Sequence, residues 1–250
     1  MVSALLRWGR IAAVATVLFA CSWRGATALA STGDDSGETR SGSASGPTWR
    51  AAWNALRGDA YPLDDVERWV EPGKRVTCDP KPFVIYRGTR LHYAGSLLVD
   101  PAFRDRLARF EAVVAETARE VYGREPRLIR HYGTYSCRPT RNRSRRISEH
   151  ALGNALDLVG FDFGPATKAQ PLASELPKPL RWAFQVRVAR HWQPTARDGA
   201  AGALHARFLA LLTQRLQARD DIFRCMFGPG HGGHDDHLHL DVAPWRYVDL

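Results

Sequence analysis

The sequence predicts an α+β fold, a small central antiparallel sheet with flanking helices. Three observations predict it. One long segment repeats apolar residues at steps of three and four. Several short segments are apolar or alternate apolar with polar residues. The two kinds of segment follow one another without regular βα alternation. In chain order, Trp49 to Leu56 reads as a short helix and Phe83-Val84-Ile85-Tyr86 as a strand. The clearest helix starts at Asp100, a good N-cap, with Pro101 at its first position. Phe103, Leu107, Phe110, Val114, Ala118 and Val121 give it one apolar face, and Gly123 is the expected stop. Leu128 to Tyr135 and Ala155 to Phe163 read as strands, as does the alternation of Trp182, Phe184, Val186 and Val188. Leu204, Phe208, Leu211 and Leu212 mark a second amphipathic helix ending before Asp220, and His237 to Val242 reads as a last strand.

The 250 residues are 44% hydrophobic and 24% charged, which excludes a disordered acidic chain, a collagen-like repeat and a multi-span membrane protein. Lys plus Arg outnumber Asp plus Glu by 35 to 26, and the formal charge of +9 favours anionic partners. Residues 1–30 read as an export leader: Arg7 and Arg10 precede an apolar run, Ile11 to Ala20, that is far shorter than the ~20 residues of a membrane span. Its end has two readings. Leu18-Phe19-Ala20-Cys21 resembles a lipoprotein box, with Cys21 as the lipidated residue; Ala28-Leu29-Ala30 is an ordinary cleavage site. The expected location is the periplasm or cell envelope, with membrane contact only through a lipid on Cys21. Nucleic acid is excluded as a partner, because the chain is read as exported and shows no nucleic-acid-binding module. Residues 31–47, rich in Ser, Gly, Asp and Thr, read as a flexible tether, and residues 48–250 as one folded domain.

Outside the leader three cysteines remain, Cys78, Cys137 and Cys225. An odd number leaves at least one unpaired within the chain. The expected bridge is Cys137–Cys225, since each lies just upstream of a histidine segment; three buried thiols is the alternative.

Those two segments carry the chemistry. In Ser148-Glu149-His150-Ala151-Leu152-Gly153-Asn154-Ala155-Leu156-Asp157, an acid sits within an apolar strand, where it incurs a desolvation cost unless paired or metal-bound. Gly153 and Asn154 permit a turn that brings His150 and Asp157 to one point. In His234-Asp235-Asp236-His237-Leu238-His239-Leu240-Asp241, the leucines alternate with His237, His239 and Asp241, so both histidines and Asp241 share one strand face. The glycines from Gly228 to Gly233 suggest a loop delivering His234 and Asp236 to the strand's end. Four of the nine histidines fall between His231 and His239, although His231 itself reads as loop. His150, Asp157 and His239 make a zinc triad that leaves one tetrahedral position for water or substrate. Arg138, Arg141, Arg143, Arg145 and Arg146 form a basic cluster, either an anionic-substrate rim or a solvated loop.

Ser148-x-His150-x-x-Gly153-x-Ala155-x-Asp157 together with His237-Leu238-His239-Leu240-Asp241 resembles the extensin-like C-terminal domain family. That family is similar to the zinc D-Ala-D-Ala carboxypeptidases and to the wider group of lysostaphin-type enzymes and hedgehog signalling domains. The resemblance covers roughly Cys137 to Asp241. It implies a hedgehog/D-Ala-D-Ala peptidase-like fold, a Zn2+ cofactor held by His150, Asp157 and His239, and peptidoglycan stem peptides as substrate. Arg138 resembles the arginine that binds substrate carboxylate in the carboxypeptidases, and Ser148 is grouped with it as substrate-binding. The carboxypeptidases have Glu where this chain has Asp236. His234-x-x-His237-x-His239 instead resembles the penicillin-insensitive murein endopeptidases, in which the two earlier histidines assist catalysis. Asp236, His237 and His234 are therefore all catalytic candidates, and both carboxypeptidase and endopeptidase remain open. The alternative is a non-catalytic wall-binding or structural domain that retains its zinc.

Overall fold

The computed structural model describes residues 61–78, 81–141, 143–167 and 176–250. The expected leader, the Cys21 lipid site, the tether and the Trp49 to Leu56 helix lie outside the described residues. All described residues belong to one compact unit, Ser45–Leu250. Its elements are mixed α and β, as the sequence predicts. Among the described residues, no helix is long and apolar enough to cross a membrane.

The longest helix, α1 (Pro101–Tyr122), has the predicted ends. The Asp100 carboxylate accepts from the Ala102 amide at 2.9 Å, and Gly123 closes the helix in the left-handed region (φ 71°), its N–H donating to the Arg119 carbonyl. Its predicted apolar face is buried from Phe103 through Val121. Helix α2 (Val188–His191) is a single turn, and α3 (Gly199–Gln217) packs against α1 through Phe208, Leu209 and Leu212.

Eleven strands are described: β1 (Val84–Tyr86), β2 (His92–Tyr93), β3 (Leu97–Val99), β4 (Leu128–Gly133), β5 (Pro139–Thr140), β6 (Arg143–Ile147), β7 (Ala155–Phe163), β8 (Phe184–Arg187), β9 (Cys225–Phe227), β10 (Leu238–Asp241) and β11 (Tyr247–Asp249). Seven form one sheet in the order β11-β9-β10-β7-β4-β2, with β8 also on β7. The centre is antiparallel as expected. The two ends are not: β2 runs parallel to β4 and β11 parallel to β9. Strands β1 with β3, and β5 with β6, make separate two-stranded pairs. The predicted strand around Trp182 is shorter than expected, because Trp182 is 73% exposed and Val188 already begins α2.

Strand β7 organises the sheet. Its first half pairs with β10 and its second half with β8. Leu156 and Leu158 enter the core in the first half, Phe161 and Phe163 in the second, so the inward parity changes at Gly160. There the partner strand β4 skips a residue, Arg130 facing Gly160 and His131 facing Leu158. Gly160 has φ 155°, and a Cβ on it would lie 2.0 Å from the Val186 carbonyl oxygen. This bulge lets one strand bury apolar residues on both sides of its kink while Asp157 stays on the opposite face. That face, away from α1 and α3, carries the site.

The disulfide differs from the expectation. Cys137 pairs with Cys78, Cα to Cα 5.9 Å, and not with Cys225. Cys225 is a buried free thiol in β9, between β10 and β11, where its Sγ faces the Trp245 carbonyl. Cys225 does lie beside the second histidine segment, opposite Asp241, but β9 holds it inside the sheet between β10 and β11, and Cys137 is bonded to Cys78 instead. The real bridge ties the segment before β1 to the residue preceding Arg138.

One buried histidine generates a stability prediction. His205 on α3 is 4% exposed, with its ring 4.5 Å from that of His191 and its Nδ1 2.9 Å from the Tyr122 hydroxyl. Burial first, then the positive charge of His191 and Arg190, push its pKa down to about 4 against a weaker opposite pull from Asp198. The folded pKa lies below the unfolded value, so the unfolded chain takes the proton first. The contribution is complete above pH ~6.5 and falls by about 3 kcal/mol as pH drops toward 4. Urea unfolding at pH 7 and pH 4.5 should show a smaller loss of stability for His205→Phe than for the unaltered chain; equal losses would contradict the assignment.

Candidate metal centre

His150 belongs to a 3-10 turn, Glu149–Leu152, built by its neighbours. The Ser148 side chain caps the turn by accepting from the His150 amide, and Gly153 ends it in the left-handed region at φ 62°. A Cβ at Gly153 would meet Phe83 and the Asp100 backbone at under 3 Å, so both conformation and space require glycine. Beneath the turn lies a buried polar net. Arg68 donates through Nε and Nη2 to the Glu149 carboxylate at 2.5 and 3.2 Å. Asn154 Nδ2 donates to Glu149 at 2.8 Å and to the Val242 carbonyl at 3.1 Å, and the Tyr61 hydroxyl donates to Asn154 Oδ1. Glu149 and Asn154, flanking His150, thus lock the turn to the end of β10. No local pattern marks Arg68 and Tyr61, 81 and 93 residues upstream of their partners, as this footing.

Strands β7 and β10 pair with His239 opposite Asp157. Three ligand atoms converge: His150 Nε2 lies 3.1 Å from Asp157 Oδ1 and 3.2 Å from His239 Nδ1, and His239 Nδ1 lies 2.9 Å from Asp157 Oδ1. Among the described residues they form a group able to hold a metal ion, as the sequence predicted. The remaining ring nitrogens fix the tautomers. His150 Nδ1–H donates to the Thr134 carbonyl at 3.0 Å, and His239 Nε2–H donates to Asp241 at 2.9 Å. Both inward nitrogens then present lone pairs to each other and to a carboxylate oxygen, an arrangement that needs a positive charge at its centre. A tetrahedral zinc with bonds of about 2.0–2.1 Å separates its ligand atoms by about 3.3 Å, so the donor set fits the ion in type and spacing.

The electrostatics agree. In the protonated, metal-free state the inward nitrogens donate instead: burial opposes ionisation of Asp157, but hydrogen bonds from His150 and His239 outweigh it and hold the carboxyl far below the usual range. Burial disfavours the His239 cation, yet Asp157 and Asp241 together pull its pKa up to about 9. The site attracts cationic charge.

The other predicted residues surround this point. His237 is buried, its Nδ1–H donates to Asp236 Oδ1 at 2.7 Å, and its Nε2 lies 3.6 Å from Asp157 Oδ1. Asp236 is half exposed and accepts at its other oxygen from the Tyr132 hydroxyl at 2.7 Å. Tyr132 was not predicted. It is the extra residue of β4 at the register shift between His131 and Gly133, and such irregularity re-aims a side chain in a way alternation does not reveal. His234 stands apart from the triad, stacked on Phe227, and burial followed by the neighbouring imidazoles His239 and His237 pushes its pKa down to about 4. His231 Nδ1 is tied to Asp249.

Asp157, His231, His234, His237 and His239 floor a cleft of about 500 Å³, walled by Arg138, Arg141, Arg143, Arg146 and Trp245. Arg138 donates to the Pro139 carbonyl, and burial lowers its pKa while Asp157 opposes that shift. Arg145 turns away to the Val70 carbonyl. Ser148 lines the cleft, although its oxygen already serves the turn.

The fold and this donor set define a class first: an α+β protein with a two-histidine, one-aspartate metal-type centre at the bottom of a basic cleft. The family model for the extensin-like protein C-terminus matches residues 73–248, and the chain belongs to that family. Comparison with curated proteins and with solved structures gives no match.

Two outcomes are expected. Asp241→Asn should weaken zinc binding about 10–100-fold, because the partner orienting His239 loses its charge; competition against a chromophoric chelator measures it. Arg68→Met should destabilise the chain by about 3–5 kcal/mol in denaturant unfolding, since it leaves the Glu149 carboxylate buried without its cation.

Proposed function

We propose that the chain is a zinc-dependent peptidase acting on stem peptides of bacterial peptidoglycan, with a hedgehog/D-Ala-D-Ala peptidase-like fold. The observation that carries this reading is His237 Nε2, 3.6 Å from Asp157 Oδ1, beside a three-donor group whose Asp157 and His239 line the cleft. A structural zinc takes four protein ligands, whereas a catalytic one keeps a position for water or substrate. When bound, the ion lowers the pKa of a coordinated water to about 7 and polarises a carbonyl oxygen.

This chain's own residues would do the rest. The Nδ1–H of His237 is engaged by Asp236, which leaves Nε2 free to take a proton from the attacking water and return it to the leaving amine. The Tyr132 hydroxyl steadies the second oxygen of Asp236, so Asp236 orients the imidazole instead of acting as the base itself. His234, neutral and packed on Phe227, narrows the cleft beside His237. Arg138, close enough to Asp157 to feel its charge, presents a forked donor for a substrate carboxylate. A carboxylate held there makes the cut terminal, as in a carboxypeptidase; a side-chain carboxylate at the same fork serves an endopeptidase. The expected location remains outside the cytoplasm.

Purified protein incubated with muropeptides should release stem-peptide fragments, and a chelator should abolish the release until zinc is restored. His237→Ala should retain zinc yet lose about 10²–10⁴-fold in rate, the range for removing a general base. Zinc binding without cleavage of any stem peptide would overturn the proposal in favour of a non-catalytic wall-binding domain.

A further inference from the structure

The cleft is asymmetric in charge. Three carboxylates lie at its floor, and each is already engaged: Glu149 by Arg68, Asp157 by the two histidines, Asp241 by His239 and the Ala243 amide. Four guanidiniums line its wall, and none of them makes an ion pair with a carboxylate among the described residues. Arginines elsewhere on this surface commonly do, such as Arg90 with Glu125 and Arg190 with Asp198. Arg246, at the cleft's edge, is tied to Asp220 and the Gln217 carbonyl.

The four are not equivalent. Arg138 is next to Asp157 and suits a group bound at the centre. Arg141 reaches across to the Gly233 carbonyl at 3.3 Å and bridges the β5–β6 pair to the glycine loop. Arg143 is exposed, and its guanidinium makes no hydrogen bond to a described residue, while Arg146, half buried, lies over the Trp245 ring at 4.1 Å. A guanidinium resting on a ring spends its face there and keeps its N–H donors free in its own plane, which is the geometry for receiving a carboxylate edge-on. Burial lowers the Arg146 pKa, a cost that an incoming anion would relieve.

We propose that Arg143 and Arg146, with Trp245 beneath, form a second anion subsite for a carboxylate further along the same peptide, so that the preferred ligand is a peptide with two carboxylates, one at Arg138 and one at this pair. The proposal rests on the peptidase reading for the identity of the ligand and deepens it by naming an acidic peptide. Peptide carboxylates are favoured over phosphate polymers because these arginines share one cleft with the hydrolytic centre and its general-base candidate.

The test uses two synthetic stem-type peptides identical except at the distal position, one with a free carboxylate and one with the carboxamide. Binding to the zinc-loaded full chain is measured by calorimetry and cleavage is followed in parallel. The diacid should bind at least about tenfold tighter than the amide, the strength of one charge-assisted contact, and the advantage should shrink with added salt. Arg143→Gln and Arg146→Gln should each cut the ratio to about threefold or less; the exposed Arg143 guanidinium makes no hydrogen bond or ion pair to a described residue, so its variant guards against a folding artefact. Equal affinities for the two peptides, no binding of either, or a ratio unchanged in both variants would overturn the subsite, as would tighter binding of a polyglycerol-phosphate fragment than of the diacid. Discrimination in binding without cleavage would support the subsite and defeat only the peptidase reading; cleavage without discrimination would do the reverse.

Discussion

One antiparallel register governs the centre. Strand β10 lies on β7 with His239 facing Asp157, and Leu238 and Leu240 facing Leu158 and Leu156. The same pairing that puts four leucines into the core puts an imidazole and a carboxylate together on the opposite face, with opposed residues about 4.5–5.5 Å apart. A slip of one residue would expose the leucines and bury the histidine. Hydrophobic burial therefore enforces the position of the polar pair. The centre needs no separate device to align two of its three ligands.

The third ligand comes from outside the ladder and needs one. His150 is held by a 3-10 turn that Ser148 opens, Gly153 closes, and Glu149 and Asn154 pin to Arg68 and Tyr61 beneath. The ligand rings are oriented in turn by the Thr134 carbonyl and by Asp241. Buried polar networks of this kind rigidify only when every member is satisfied. Here Asn154, between His150 and Asp157, anchors the turn from below, while Ser148, Glu149 and Asp157 line the cleft.

Much of the centre was legible before any coordinates. An acid inside an apolar strand, and a His-x-His alternating with leucines, are patterns that local geometry makes informative, because side-chain direction follows from backbone period alone. The ends of α1 were legible for the same reason, since Asp100, Pro101 and Gly123 act on the backbone beside them. The disulfide was not. Position along the chain favours Cys225 as the partner of Cys137, and only the tertiary structure, which encloses Cys225 in β9 and brings Cys78 to Cys137, overturns that. Tyr132 and Arg68 escaped notice because neither stands in a periodic position relative to the groups it supports.

The sequence by itself determined which side chains share a face, where the long helix begins and ends, and which three donors suit a metal, because each of these follows from neighbours within about seven residues or from the chemistry of a single side chain. The tertiary structure decided what pairs across the chain: the Cys78–Cys137 bridge, the Tyr132–Asp236–His237 chain, the Arg68 footing and the basic wall facing the centre. Those contacts depend on sheet order and on the register shifts between β4 and β7, and long-range pairing leaves no period in the sequence from which to read it.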